Sequence, residues 1–319
     1  KYIVLIFCLI FSAPLSVKAQ LSEGGMMPTA SIVIEPTYPA PHGTFTASID
    51  DYSLQSQTTS VTWKINGSVI ASNNNLRTVS LESGEVGKNT TVEAILGLNG
   101  NQSMTLSKTI TPLYLDIVVE PQTRTPAFYL GRGLPSIDSQ VILRAIIGGI
   151  NISTNDLVYT WQVNDKVIEG GPLRGRNNVA ITVPRGNSFI VSLRVTRLSG
   201  EELIKKPLRI PSVEPEIYFY EKTALYGINP ISFDSLNLTG NSATITAEPY
   251  YLALGTYNQP TLLEWTVDGK KSSAPTDNPY EITLARPAGE GRGTSQINFH
   301  VRNLTQLLQG AESRLRINF

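Results

Sequence analysis

Cysteine is all but missing. The single cysteine in 319 residues, Cys8, lies in an apolar N-terminal stretch, so a chain that loses that stretch has no thiol nucleophile, no thiolate metal ligand and no disulfide. Histidine is nearly as scarce. His42 and His300 stand far apart, and neither an H-E-x-x-H pattern nor a serine elbow is present. Net charge is absent too, with 26 basic side chains balancing 26 acidic ones and no run of Lys and Arg interleaved with aromatics. That removes the basic field a phosphate backbone requires, so no nucleic-acid partner is expected. Adjacent acids Asp50 and Asp51 lack the alternating D-x-D-x-D spacing of a calcium loop, and "GEGRG" from Gly289 falls between two strands and reads as a hairpin loop, not a phosphate cradle. No enzyme activity, metal or cofactor is expected.

No apolar run is long enough for a membrane span. "KYIVLIFCLIFSAPLSVKAQ" has a basic residue, an apolar run from Tyr2 to Phe11 broken by Ser12 and Pro14, and Val17 and Ala19 at the small-residue positions of a signal-peptidase site. We read residues 1–19 as a cleaved signal peptide and 20–30 as a linker. An exported protein without cysteine must be stabilised by packed cores alone. Bacterial export suits it, while the sequons at Asn66, Asn237 and Asn303 keep a eukaryotic route open.

What the chain does have is a repeat. Its three tryptophans occur in one context: "VTWKINGSVI" from Val61, "YTWQVNDKVI" from Tyr159 and "LEWTVDGKKS" from Leu263. Trp63 and Trp161 are 98 residues apart, and Trp161 and Trp265 are 104, a period close to the ~100 residues of an immunoglobulin-type sandwich. Other landmarks move with them. Ala47, Ala145 and Ala247 precede the tryptophans by 16, 16 and 18 residues, and alternating strands around Ala94, Leu193 and Phe299 follow at 31, 32 and 34. In each tryptophan strand the residues two before and two after the indole are apolar and the immediate neighbours polar, so one face is buried and the other wet. Trp63, Trp161 and Trp265, with the three alanines, are therefore expected in sandwich cores; a sugar-stacking role for the indoles is the competing reading. Asn66, Asn164 and Asp268 follow as residues that tolerate the positive φ of tight hairpins.

The alternating strand with W-x-[VI]-[ND], the short turn and the later alternating strand resemble the PKD and bacterial immunoglobulin-like repeats of secreted and surface proteins. The resemblance covers nearly all of the chain after residue 30, although the "GDG" turn of strong PKD members is replaced by Asn66-Gly67, Asn164-Asp165 and Asp268-Gly269. It implies an all-β protein of three tandem antiparallel β-sandwich domains, 31–112, 113–212 and 213–319, opening on "SIVIEP", "DIVVEP" and "EIYFYE". Short joints marked by Pro112, Pro211 and Pro215 favour a semi-rigid rod.

Domains two and three carry extra residues before the second strand: "RTPAFYLGRGLP" from Arg124 and "KTALYGINPISF" from Lys222. Loops on sandwiches carry function, so Phe128, Tyr129 and Tyr226 are binding candidates, unless they tuck down to cover a sheet edge or seal a domain joint. The middle segment, 113–212, has net charge +4 where its neighbours are negative; Arg174, Arg176 and Arg185 could meet an acidic polymer or be plain solvated arginines. The expected function is a non-catalytic, exported protein of the cell envelope or surface, a structural or adhesive rod contacting an envelope or surface protein; the alternative is a carbohydrate-binding module that takes a cell-surface glycan. After signal cleavage it is not expected to be an integral membrane protein.

Overall fold

The computed structural model describes residues 30–51, 57–70, 75–272, 278–286 and 292–319. The expected signal peptide with Cys8, and Gly289 and Gly291 of the glycine-rich stretch, lie outside these residues. The chain is nearly all β, and its strands form three consecutive pairs of sheets. In the first pair, β1 (Ser31–Glu35), β2 (Thr44–Asp50) and β5 (Thr78–Glu82) make a sheet ordered β1-β2-β5. Beside it in sequence, β3 (Thr58–Ile65), β4 (Ser68–Val69), β6 (Thr90–Leu98) and β7 (Gln102–Ile110) make one ordered β4-β3-β6-β7.

The same first-second-fifth and fourth-third-sixth-seventh order returns. In the second pair, β8 (Tyr114–Pro121), β9 (Gln140–Gly148) and β13 (Asn178–Thr182) form one sheet. The other holds β11 (Lys166–Val167), β10 (Val158–Val163), β14 (Ser188–Thr196) and β15 (Glu202–Pro211), with β12 (Leu173–Arg174) added to β10. In the third pair, β16 (Glu216–Thr223), β17 (Gly227–Ile228), β19 (Ser242–Tyr250) and β22 (Glu281–Ala285) are ordered β17-β16-β19-β22. Facing positions in sequence are filled by β18 (Ser235–Asn237), β20 (Leu262–Val267), β21 (Lys270–Ser272), β23 (Thr294–Arg302) and β24 (Gly310–Asn318), ordered β18-β24-β23-β20-β21. This is the strand order of immunoglobulin-type sandwiches.

The described residues divide into two compact units: those within 1–34, 46–80 and 91–109 form one, and those within 35–45, 81–90 and 110–319 the other. The first buries Ile32, Ala47, Val61, Trp63, Val79, Val92 and Leu96. The second contains two separate cores. One gathers buried side chains from Leu113 to Ile210 around Trp161, the other from Ile217 to Ile317 around Trp265.

Each repeat is built by the same bonds. Trp63 faces Ala94 across the strand pair, Trp161 faces Leu193 and Trp265 faces Phe299. All three indoles are at most 1% exposed, and each Nε1–H donates to a main-chain carbonyl: Leu76 at 2.7 Å, Arg176 at 2.9 Å and Pro279 at 3.0 Å. A buried indole needs such an acceptor. The residue after each tryptophan strand sits in the left-handed region, with φ of 48° at Asn66, 47° at Asn164 and 48° at Asp268. Their side-chain oxygens accept from the amides of Thr91, Ile190 and Gln296, pinning each hairpin to the sixth strand of its own sandwich.

Candidate functional site

The residues between the first and second strands of the second sandwich, 122–139, leave their own sheet and bond to the third. Thr123 bridges Ala253 in antiparallel fashion. Around it, Arg124 N–H donates to Leu252 O at 2.7 Å, Tyr251 N–H to Arg124 O at 2.7 Å and Leu254 N–H to Gln122 O at 3.0 Å. The loop then returns to its own sandwich, where Ser136 bridges Val213 in parallel and Val213 N–H donates to Pro135 O at 3.0 Å. Its neck is closed by Thr123 Oγ1 donating to Leu134 O at 2.8 Å. Prolines 121, 126 and 135 stop the segment from continuing as a regular strand.

Side chains complete the joint. Phe128 meets the Tyr220 ring edge-on at 5.0 Å, and Tyr129 meets Tyr250 edge-on at 5.2 Å. The Tyr129 and Tyr251 hydroxyls are 2.9 Å apart, and those of Tyr220 and Tyr250 are 2.7 Å apart. Arg124 reaches Glu248 Oε2 at 3.1 Å and lies over the Tyr257 ring, 4.7 Å from its centroid. Burial pushes the Glu248 carboxyl above its ordinary range, with the Arg124 charge pulling in the opposite direction. At the centre, Gln309 is fully buried. Its Oε1 accepts Ala253 N–H at 2.8 Å, and its Nε2 donates to Ser136 Oγ at 2.9 Å and to Ile137 O.

Phe128 and Tyr129 are thus engaged within the chain and seal a joint; they are not a free contact surface. Tyr226 is placed quite differently. The corresponding segment of the third sandwich turns back at 224–226 as a hairpin between β16 and β17, and Lys222 is held at home by Glu281 at 2.7 Å. This leaves Leu225 78%, Tyr226 84% and Ile231 71% exposed. The path is otherwise equivalent, because β18 then pairs in parallel with β24 as Ser136 does with Val213. The similar sequences follow one route, but among the described residues only the first lies against another sandwich.

Two of the three arginines are engaged locally. Arg174 pairs with Asp156 and donates to Asn155 O at 3.2 Å, and Arg176 donates to Glu169 O at 2.9 Å. Arg185 is exposed. Ala47, Ala145 and Ala247 are buried. Asp51 is buried against Arg77, which neutralises it. Among the described residues no three His, Cys, Asp or Glu side chains gather as a metal-binding group, and no helix is long and apolar enough to cross a membrane.

Sequence reasoning missed the receiving half of the joint: Glu248, Tyr250, Tyr251 and Gln309. A signal for it does exist. From Ile245 to Tyr250 every residue is buried, so the alternation of β19 fails where a second layer covers its outer face. "ITAEPYYLAL" already shows that failure, with two adjacent tyrosines and a run of apolar residues at a strand end.

No protein-family model matches the chain, and no curated protein does. Among solved structures, the central fibronectin-III array of RIM-binding protein aligns over 92% of this chain and 97% of its own, at 11% identity and a TM-score of 0.29. Fibronectin(III)-like modules of Clostridium thermocellum CbhA align over 57% of this chain and 93% of theirs, at 10% identity and TM-score 0.28. The Bacteroides ovatus mixed-linkage glucan utilization protein SGBP-B, solved with a mixed-linkage heptasaccharide, aligns over 91% of this chain and 70% of its own, at 11% identity and TM-score 0.24. At such scores the fold rests on the strand order itself.

Proposed function

We propose that this is a non-catalytic, exported protein of the cell envelope or surface, whose immunoglobulin-like domains 31–112, 113–212 and 213–319 hold and display a protein-contact surface. The carrying observation is the joint between the second and third sandwiches, where an ordered loop, a buried glutamine and an aromatic cluster fix one domain on the next. Such a joint suits a spacer that must keep its display in one orientation. The surface displayed is the 224–231 turn, whose Leu225, Tyr226 and Ile231 are too exposed to contribute to the core. The placement within the PKD group rests on the tryptophan motif alone.

Capture from envelope extract tests this reading, with the chain as bait and parallel extracts treated with protease or periodate. Loss of capture with protease, and in a Leu225→Asp/Tyr226→Asp variant of unchanged melting temperature, supports it. Capture abolished by periodate alone, or undiminished in the variant, overturns it.

A further inference from the structure

A second feature of the joint has no part in that display. A cleft of about 400 Å³ opens between the 122–140 segment, residues 253–256 and the 303–306 turn. This is in the size range of small-ligand sites, which favour domain junctions. Its polar rim carries Gln122, Asp138, Gln140, Asn303 and Gln306, and its apolar part is Ala253 and Leu254.

We propose that this cleft binds a short, neutral saccharide. The lining decides the ligand class. Side-chain amides donate and accept together, as sugar hydroxyls do, and a carboxylate accepts from a neighbouring hydroxyl pair. No Lys, Arg or His lines the cleft, so nothing there neutralises a phosphate, sulfate or carboxylate group. Asp138 is its one charged side chain, too few for a divalent cation that seeks six or more oxygens, several of them from carboxylates. The Ala253–Leu254 patch offers an apolar floor for the C–H face of a pyranose.

The rim also has bonding capacity to spare. Among the described residues the Asp138 carboxylate and the Gln140 side-chain amide have no protein hydrogen-bond partner, and Gln306 uses only its Oε1, which accepts from Asn303 at 3.2 Å. Meanwhile the walls are fixed by main-chain bonds. Leu254 N–H donates to Gln122 O, Asp138 N–H to Val183 O at 3.1 Å, and Gln306 N–H to Asn303 O at 3.2 Å. The fixed main chain spares the cost of ordering loops, and the remaining cost is about 0.5–1.5 kcal/mol for each side chain immobilised on binding.

The test is calorimetric titration of the whole chain with cellotetraose, mannotetraose, maltotetraose and chitotetraose, and with calcium chloride and inorganic phosphate as alternative ligands. One of the saccharides is expected to bind with a submillimolar Kd. Asp138→Asn, which keeps a residue tolerant of φ 66°, and Gln306→Ala should each weaken it about tenfold with unchanged melting temperature. Absence of binding by every saccharide, affinity unchanged in both variants, or saturable binding of calcium or phosphate in place of sugar would overturn the proposal. The Leu225→Asp/Tyr226→Asp variant should bind the saccharide normally, which separates this site from the protein-contact turn.

Discussion

Replacing Gln309 with alanine should uncouple the second and third sandwiches. The fully buried side chain makes one accepted and two donated hydrogen bonds, to groups from both sides of the joint. At about 1 kcal/mol net each, these bonds contribute ~3 kcal/mol. Truncation also strands the Ala253 amide and the Ser136 hydroxyl in a buried site, at about 1–3 kcal/mol for each group left unsatisfied, and water entering the vacated polar space would return part of that. We expect a loss of about 3–5 kcal/mol in urea unfolding. Amide hydrogen exchange at Ala253 should accelerate while the Trp161 core stays protected. Gln309→Glu sharpens the reasoning, because an ionised carboxylate keeps the acceptor and loses both donors. It should be as harmful as alanine at neutral pH and recover in acid, where the protonated carboxyl can donate once. A loss below about 0.5 kcal/mol for Gln309→Ala, with Ala253 exchange unchanged, would refute this account.

Trp161→Ala should cost about 3–5 kcal/mol through the cavity it leaves, plus the bond to Arg176 O, measured by thermal or urea denaturation. Gly149→Ala should cost at least about 1–2 kcal/mol, since Gly149 has φ 83° and an added Cβ would stand 2.8 Å from the Gly87 nitrogen. Glu248→Gln should flatten part of the pH-stability profile. Burial raises the Glu248 carboxyl in the folded chain, so the folded state keeps that proton to a higher pH than the unfolded one. Its favourable contribution is complete below the ordinary value of 4.5 and is lost as pH rises through the raised one. Urea midpoints across that window should fall with pH in the parent and much less in the variant.

The repeat was legible because three physical demands recur at fixed spacing. An indole plugs a core that has no disulfide, its Nε1–H needs a carbonyl, and Asn or Asp must take a left-handed turn; each leaves a residue type in the sequence. The loops were legible only as a choice between binding and sealing. "RTPAFYLGRGLP" and "KTALYGINPISF" look alike, yet Tyr129 is packed on Tyr250 while Tyr226 projects outward. What separates them is the presence of another sandwich's strand end against the first loop, a long-range fact that no local pattern carries. Gln309 was illegible for the same reason: a glutamine in "LLQG" reads as a solvated turn until the 122–139 segment closes over it.

The 122–139 loop fixes the second sandwich on the third. With the single cysteine, Cys8, replaced by serine, paired labels can be placed without background at Lys166→Cys and Lys270→Cys, both on exposed hairpins. Electron-electron distance measurement between spin labels at these positions should give one narrow distribution, which broadens when Arg124→Ala and Phe128→Ala are added. A broad distribution in the parent, left unchanged by those substitutions, would contradict the account.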